Sequence, residues 1–182
     1  MILIISLVVV GIILLWFVGT YNMFIKQKTS LDEAFSTMDV YLKKRWDLIP
    51  NLVETVKGYA EHEKGTFEKV VELRNTAYSG LPSDEKIALN AELSTGLAKL
   101  LAVAENYPDL KANQNFMDLS AQLSQIEADI ANSRKYYNAI VKDYNIAVQT
   151  IPSNIIAAIC QFKPAKMFEI DETQRENVQV KF

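Results

Sequence analysis

The chain has 182 residues and a formal net charge of −3, from 19 Lys and Arg against 22 Asp and Glu, with one His and one Cys. That length accommodates an anchor plus one domain. The near-balanced charge, whose only basic run is Lys43-Lys44-Arg45, excludes an electrostatic footprint for nucleic acid. A single cysteine, Cys160, excludes an internal disulfide, a cysteine metal cluster and a CxxC redox pair.

From Ile2 to Ile25 no residue is charged, and Ile2 to Val18 is apolar almost throughout. A bilayer core of ~30 Å takes roughly 20 apolar residues at ~1.5 Å each, so this run predicts a membrane-spanning helix. Tyr21, Lys26 and Lys28 follow where an interfacial aromatic and basic anchors belong. A cleaved secretory signal would need a basic n-region and an Ala-x-Ala-like site, and Phe17-Val18-Gly19-Thr20-Tyr21 offers none. Residues 2–25 are therefore expected to remain as an integral anchor. With Lys26, Lys28, Lys43, Lys44 and Arg45 after the span and nothing basic before it, the positive-inside rule favours a cytoplasmic C-terminal domain.

Beyond the anchor, apolar residues recur at steps of three and four. Leu31, Phe35, Met38, Leu42, Trp46 and Ile49 form one helical stripe, and no turn signal parts it from the anchor, so one helix can carry both. Pro50 predicts its end, because proline lacks an amide donor and restricts the residue before it. A second stripe, Leu52 to Ala77, stops at Ser79-Gly80-Leu81-Pro82, with a kink expected near Gly65. A third helix starts with Ser83 as N-cap and Asp84 and Glu85 in its first turn, carries Ile87, Leu93, Leu97, Leu100, Leu101 and Ala104, and ends at Pro108.

The fourth is capped by Asn113 or Asn115 and carries Phe116, Leu119, Leu123, Ile126, Ile130, Tyr137, Val141, Tyr144, Val148 and Ile151 before Pro152. At ~1.5 Å per residue it is ~50 Å long and must bury its stripe against neighbours. A short helix over 154–161 and a loose polar tail follow. The expected fold is all-α: a transmembrane helix, then an antiparallel up-and-down bundle of about four long helices, coiled-coil-like in its seams. The expected divisions are an anchor over 1–25, the bundle over 26–162 and a tail over 163–182.

The candidate site residues are polar ones in apolar phase. Glu63 sits where the second stripe wants a hydrophobe, Arg74 is in phase after it, and Arg45 flanks the first seam. Glu127 and Arg134, like Asn138 and Asn145, are seven apart and share a helix face. These residues read as a set that fixes helix register, with a ligand or partner site as the alternative. Glu63 is expected to pair with Arg134 or Arg45. His62, between Glu61 and Glu63, lacks the spacing of a metal motif, since helix neighbours point ~100° apart. No nucleophile elbow, phosphate loop or dinucleotide pattern occurs. Tyr137 and Tyr144 read as core rather than as a recognition surface. No catalytic residue, cofactor or metal is expected.

The block Lys44-Arg45-Trp46-Asp47-Leu48-Ile49-Pro50-Asn51-Leu52-Val53-Glu54-Thr55-Val56-Lys57-Gly58-Tyr59-Ala60-Glu61-His62-Glu63, with Tyr107-Pro108-Asp109-Leu110-Lys111-Ala112, Asn115-Phe116, Glu127, Arg134, Tyr137-Asn138 and Tyr144-Asn145, resembles the LemA family of bacterial membrane-anchored proteins. The resemblance covers nearly the whole chain, Trp46 standing where the family more often has a smaller or polar residue. It implies an N-terminal membrane helix, an up-and-down bundle and the bacterial cytoplasmic membrane, adds Asp47 and Asn51 to the candidate polar residues, and brings no reaction or cofactor. The expected function is a non-enzymatic scaffold that meets protein partners or copies of itself. The alternatives are a sensor with a polar site near Glu63 and Arg134, and a metal-dependent enzyme using His62.

Overall fold

A computed structural model describes residues 1–60, 64–75, 78 and 80–168. Every regular element among them is an α-helix: α1 Ile2–Lys57, α2 Lys64–Asn75, α3 Ser83–Glu105, α4 Pro108–Lys111, α5 Gln114–Gln149 and α6 Ser153–Ile159. The described residues are thus all-helical, as their periodicity indicates.

The main correction concerns Pro50. The expected break is absent, and α1 runs without interruption from the apolar run through Pro50 to Lys57. An internal proline forfeits one backbone bond and crowds the preceding turn, at about 3 kcal/mol. Against that stand Ile49, Leu52, Val53 and Val56, all buried and all on the stripe that continues through the proline. Each such side chain contributes about 1.5–3 kcal/mol on burial, which outweighs one lost bond. The helix ends instead at Gly58, where the amides of Tyr59 and Ala60 both close on the Val56 carbonyl at 3.0 Å. The single second helix expected over Leu52 to Ala77 is thus divided between the end of α1 and α2.

Ser83 is the first residue of α3 rather than its cap, and Pro82 holds the N-cap position. Pro108 opens α4. Asn113 caps α5 as expected, its Oδ1 accepting the Phe116 amide at 3.1 Å.

The described residues divide into two compact units, one drawn from Met1–Thr37 and Ser133–Met167, the other from Met38–Asn132 and Phe168. In the first, Phe24, Tyr144, Val148, Ile156 and Ala157 form the core, with Phe17, Leu31 and Phe162 packed against it. Phe24 stacks on Phe162 at 4.8 Å between ring centroids and meets Tyr144 edge-on at 6.4 Å. The start of the expected loose tail is held here: Asn145 Nδ2 donates to the Ala165 carbonyl at 2.9 Å and its Oδ1 accepts the Ala165 amide at 2.8 Å. Tyr137 Oη also donates to the Lys166 carbonyl at 3.1 Å. Tyr137 and Tyr144 are buried, whereas Ile151, expected on the same stripe, is 83 % exposed because α5 has ended before it.

In the second unit, Met38, Leu42, Trp46 and Ile49 of α1 are buried, as are Leu93, Leu97 and Leu100 of α3 and Leu123 and Ile130 of α5. Gly96 of α3 lets α2 approach closely, since a Cβ there would meet the Val70 Cγ2 at 3.0 Å. Among the described residues two helices are long and apolar enough to cross a membrane. The apolar window of α3 is 39 % buried, as suits a core helix, while that of α1, near the N-terminus, is not buried at all.

Candidate functional site

The stripe of α1 brings a cation into the second unit's core. Arg45 follows Leu42 by three residues and precedes Ile49 by four, so its side chain shares their face. It is 0 % exposed, and a guanidinium out of water is costly unless hydrogen-bonded, as its two terminal nitrogens are here. Its Nη1 donates to Glu127 Oε1 of α5 and to Ser94 Oγ of α3, each at 2.8 Å. Its Nη2 donates to the Asn90 side-chain oxygen at 2.7 Å and to the Asn90 carbonyl at 3.0 Å. One side chain of α1 thereby binds both α3 and α5.

Asn90 extends the network. It is fully buried, and its Nδ2 donates to the Lys86 carbonyl at 2.8 Å and reaches Tyr78 Oη at 3.5 Å. Tyr78 donates its hydroxyl proton to Asp39 Oδ1 at 2.6 Å, and Lys86 Nζ donates to Asp39 Oδ2 at 2.6 Å. The Tyr78 ring lies 5.1 Å from that of Trp46, and Lys86 Nζ lies 5.0 Å from its centroid. Burial, reinforced by the hydrogen bond to the Asp39 carboxylate, pushes the Tyr78 phenol well above its ordinary value. It therefore stays protonated and donating. The two cations Arg45 and Lys86 and the two anions Glu127 and Asp39 cancel, so the network is neutral as a whole. What the geometry shows is a set of contacts that link α1 to α3 and to α5 through one buried cation.

Of the sequence-derived candidates, the structure joins Arg45 to Glu127. Glu63, expected to pair with Arg134 or Arg45, lies with His62 outside the described residues, and so does the side chain of Arg74. Asp47 is exposed and pairs with Lys43 one turn away, apart from the network. Asn51 is exposed and lines a cleft of about 370 Å³ with Thr55, Asn115, Asp118, Leu119 and Gln122. Arg134, Asn138 and Asn145 are half-buried in the first unit, where Asn145 holds Ala165. Among the described residues no three His, Cys, Asp or Glu gather to hold a metal.

Sequence reasoning missed Asp39, Tyr78, Lys86, Asn90 and Ser94. Asn90 could have been found, because it stands three residues from both Ile87 and Leu93 in the apolar phase of α3.

Residues 34–182 match the family model described as the LemA family. The chain is 24 % identical over 171 residues to Protein LemA of Metamycoplasma hominis, covering 93 % of this chain and 78 % of that protein. It is 27 % identical over 175 residues to magnetosome protein MamQ 2 of Paramagnetospirillum magneticum and 25 % identical over 174 to magnetosome protein MamQ of Magnetospirillum gryphiswaldense. These matches cover 82 % and 81 % of this chain but only 64 % of either relative, less than two thirds of their length.

Proposed function

The chain belongs to the LemA family, and from that premise we propose that it is a membrane-anchored, non-enzymatic scaffold or protein-interaction module of the bacterial envelope. The observation that carries the proposal is α1 itself: one helix leads from an unburied apolar window directly into residues that build a folded core. Such a helix couples the position of the body to the membrane. In this reading residues 2–25 cross the cytoplasmic membrane once, residues 26–162 form an antiparallel up-and-down bundle on the cytoplasmic side, and 163–182 form a tail. Arg45 and Glu127 serve the bundle's register rather than a reaction, and its partner is a protein or a second copy.

The test is the mass of the full chain in mild detergent, by light scattering, together with cross-linking in native membranes. A defined oligomer or a reproducible cross-linked protein supports the scaffold. A monomer that cross-links to nothing overturns it. The polar cleft beside Asn51 favours a second reading, a ligand-binding module. A metabolite screen that leaves the melting temperature unchanged ends that reading.

A further inference from the structure

We infer that the corner between α5 and α6 is a second membrane contact, lying in the lipid interface with Ile151, Ile155 and Ile159 turned to the acyl chains. The inference rests on the reading of α1 as a span.

Four observations in the first unit carry it. The first is exposure: Ile155 and Ile159 of α6 are 53 % and 63 % exposed and lie four residues apart on one helix face, Ile151 in the turn before α6 is 83 % exposed, and Ile156 and Ala157 fill the core. Single exposed isoleucines are ordinary, but three gathered at one corner, backed by buried Ile156 and Ala157, make an apolar patch that suits lipid better than water.

The second is charge: from Tyr144 to Phe162 no residue is charged, and Asp143 and Lys163 bracket the stretch. Apart from the N-terminal run, so long a neutral stretch with this apolar content occurs nowhere else in the chain.

The third is level. The core that receives Ile156 and Ala157 is centred on Phe24 and touches Phe17. A span over residues 2–25 ends beside Phe24, about two helical turns beyond Phe17, so this core lies where α1 leaves the bilayer. The Phe162 ring lies 5.9 Å from that of Tyr21. The corner is therefore continuous with the face of α1 that leaves the bilayer. Lys28 and Lys163, which follow the two apolar stretches, line one cleft at the headgroup side.

The fourth is internal satisfaction. Helix ends expose carbonyls, and in lipid each unmet one is costly. Here Ile146 O accepts from the Thr150 amide and hydroxyl at 2.9 and 2.8 Å, Ser153 Oγ donates to Ala147 O at 2.6 Å, and the Asn154 amide closes on Thr150 O at 2.8 Å. The Ile146, Ala147 and Thr150 carbonyls thus find donors within the turn itself.

The experiment places one spin label per chain at Ile151→Cys, Ile155→Cys or Ile159→Cys, in full-length Cys160→Ser protein. The protein is reconstituted in phosphatidylethanolamine–phosphatidylglycerol vesicles, with Leu7→Cys marking the span and Lys99→Cys the aqueous body. Collision with oxygen and with a water-soluble nickel chelate is read at each site. The inference expects positions 155 and 159 to favour oxygen as position 7 does and to differ from position 99. Labels at 155 and 159 open to the chelate, with position 7 protected, overturn the inference and leave the anchor standing. Labels closed to both reagents overturn it too, placing a protein, such as a second copy, on this face. A chelate-accessible position 7 overturns the anchor and with it this inference.

Discussion

Arg45 shows how a residue's identity matters more than its charge. Its fork reaches acceptors on α3 and α5 at once, which a lysine's single ammonium cannot do in that geometry. Arg45→Ala strands the Asn90 oxygen and leaves Glu127 without its partner, and is expected to cost about 3–5 kcal/mol in urea denaturation. Glu127→Gln keeps an acceptor oxygen on a side chain that is partly solvated, and should cost less, about 1–2 kcal/mol. Equal costs for the two would refute the central role given to Arg45. Tyr78 gives the network a pH dependence of definite sign. Its folded pKa is raised, so the native state holds the proton more tightly than the unfolded chain. Its contribution is complete below the unfolded value of about 10 and is lost as pH rises beyond it. Tyr144 is raised as well, by burial first and then by the Asp32 carboxylate, so the comparison must be differential. Melting temperature should fall less steeply above pH ~10 in Tyr78→Phe than in the parent, and parallel slopes would show that the phenol is not what titrates.

At the scale of elements, periodicity locates α5 and its buried stripe but not the end that leaves Ile151 exposed, and a local signal misleads where it competes with packing. The stripe of α5 from Phe116 to Val148 and its Asn113 cap stand as the spacing requires. Pro50 signals a stop because its cost is local and visible in the sequence, whereas the burial that offsets it is tertiary. Tyr78 and Asp39 were illegible for a related reason: they meet across 39 residues, and neither breaks a pattern in its own segment. Gly96 was equally silent. A mid-helix glycine reads as a weakness of about 1 kcal/mol, yet here its missing Cβ admits the buried, β-branched Val70 at 3.0 Å. Gly96→Leu must displace Val70, and α2 with it. Hydrogen exchange over 64–75 should accelerate at least tenfold while α5 keeps its protection, a change of about 1.4 kcal/mol or more in local stability. Unchanged exchange in α2 would mean that the two helices do not rely on this contact.

At the scale of the molecule, the apolar run and the polar body are legible separately, but their interdependence is not. Hydropathy marks residues 2–25 as an anchor because nothing in them is charged, and it assigns Phe24 to the lipid with the rest. The structure gives Phe24 a second occupation: it is 0 % exposed and stands at the centre of the first unit's core, between Tyr144 and Phe162. A cut between Ile25 and Lys26, natural from hydropathy, removes that ring and leaves Ile156, Ala157 and Phe162 facing a void. Truncating a buried phenylalanine costs about 3–5 kcal/mol, a large share of the ~5–15 kcal/mol that holds a domain of this size. A chain beginning at Asn22 should therefore unfold at clearly higher urea than one beginning at Lys26, and Phe24→Ala in the longer chain should abolish most of the difference. If both truncations unfold at the same urea concentration, Phe24 belongs to the anchor alone and the body is independent of it. If they differ as expected, the last turn of the span is also the first element of the fold, and movement of the helix in the membrane is felt directly by the packing of α5 and α6.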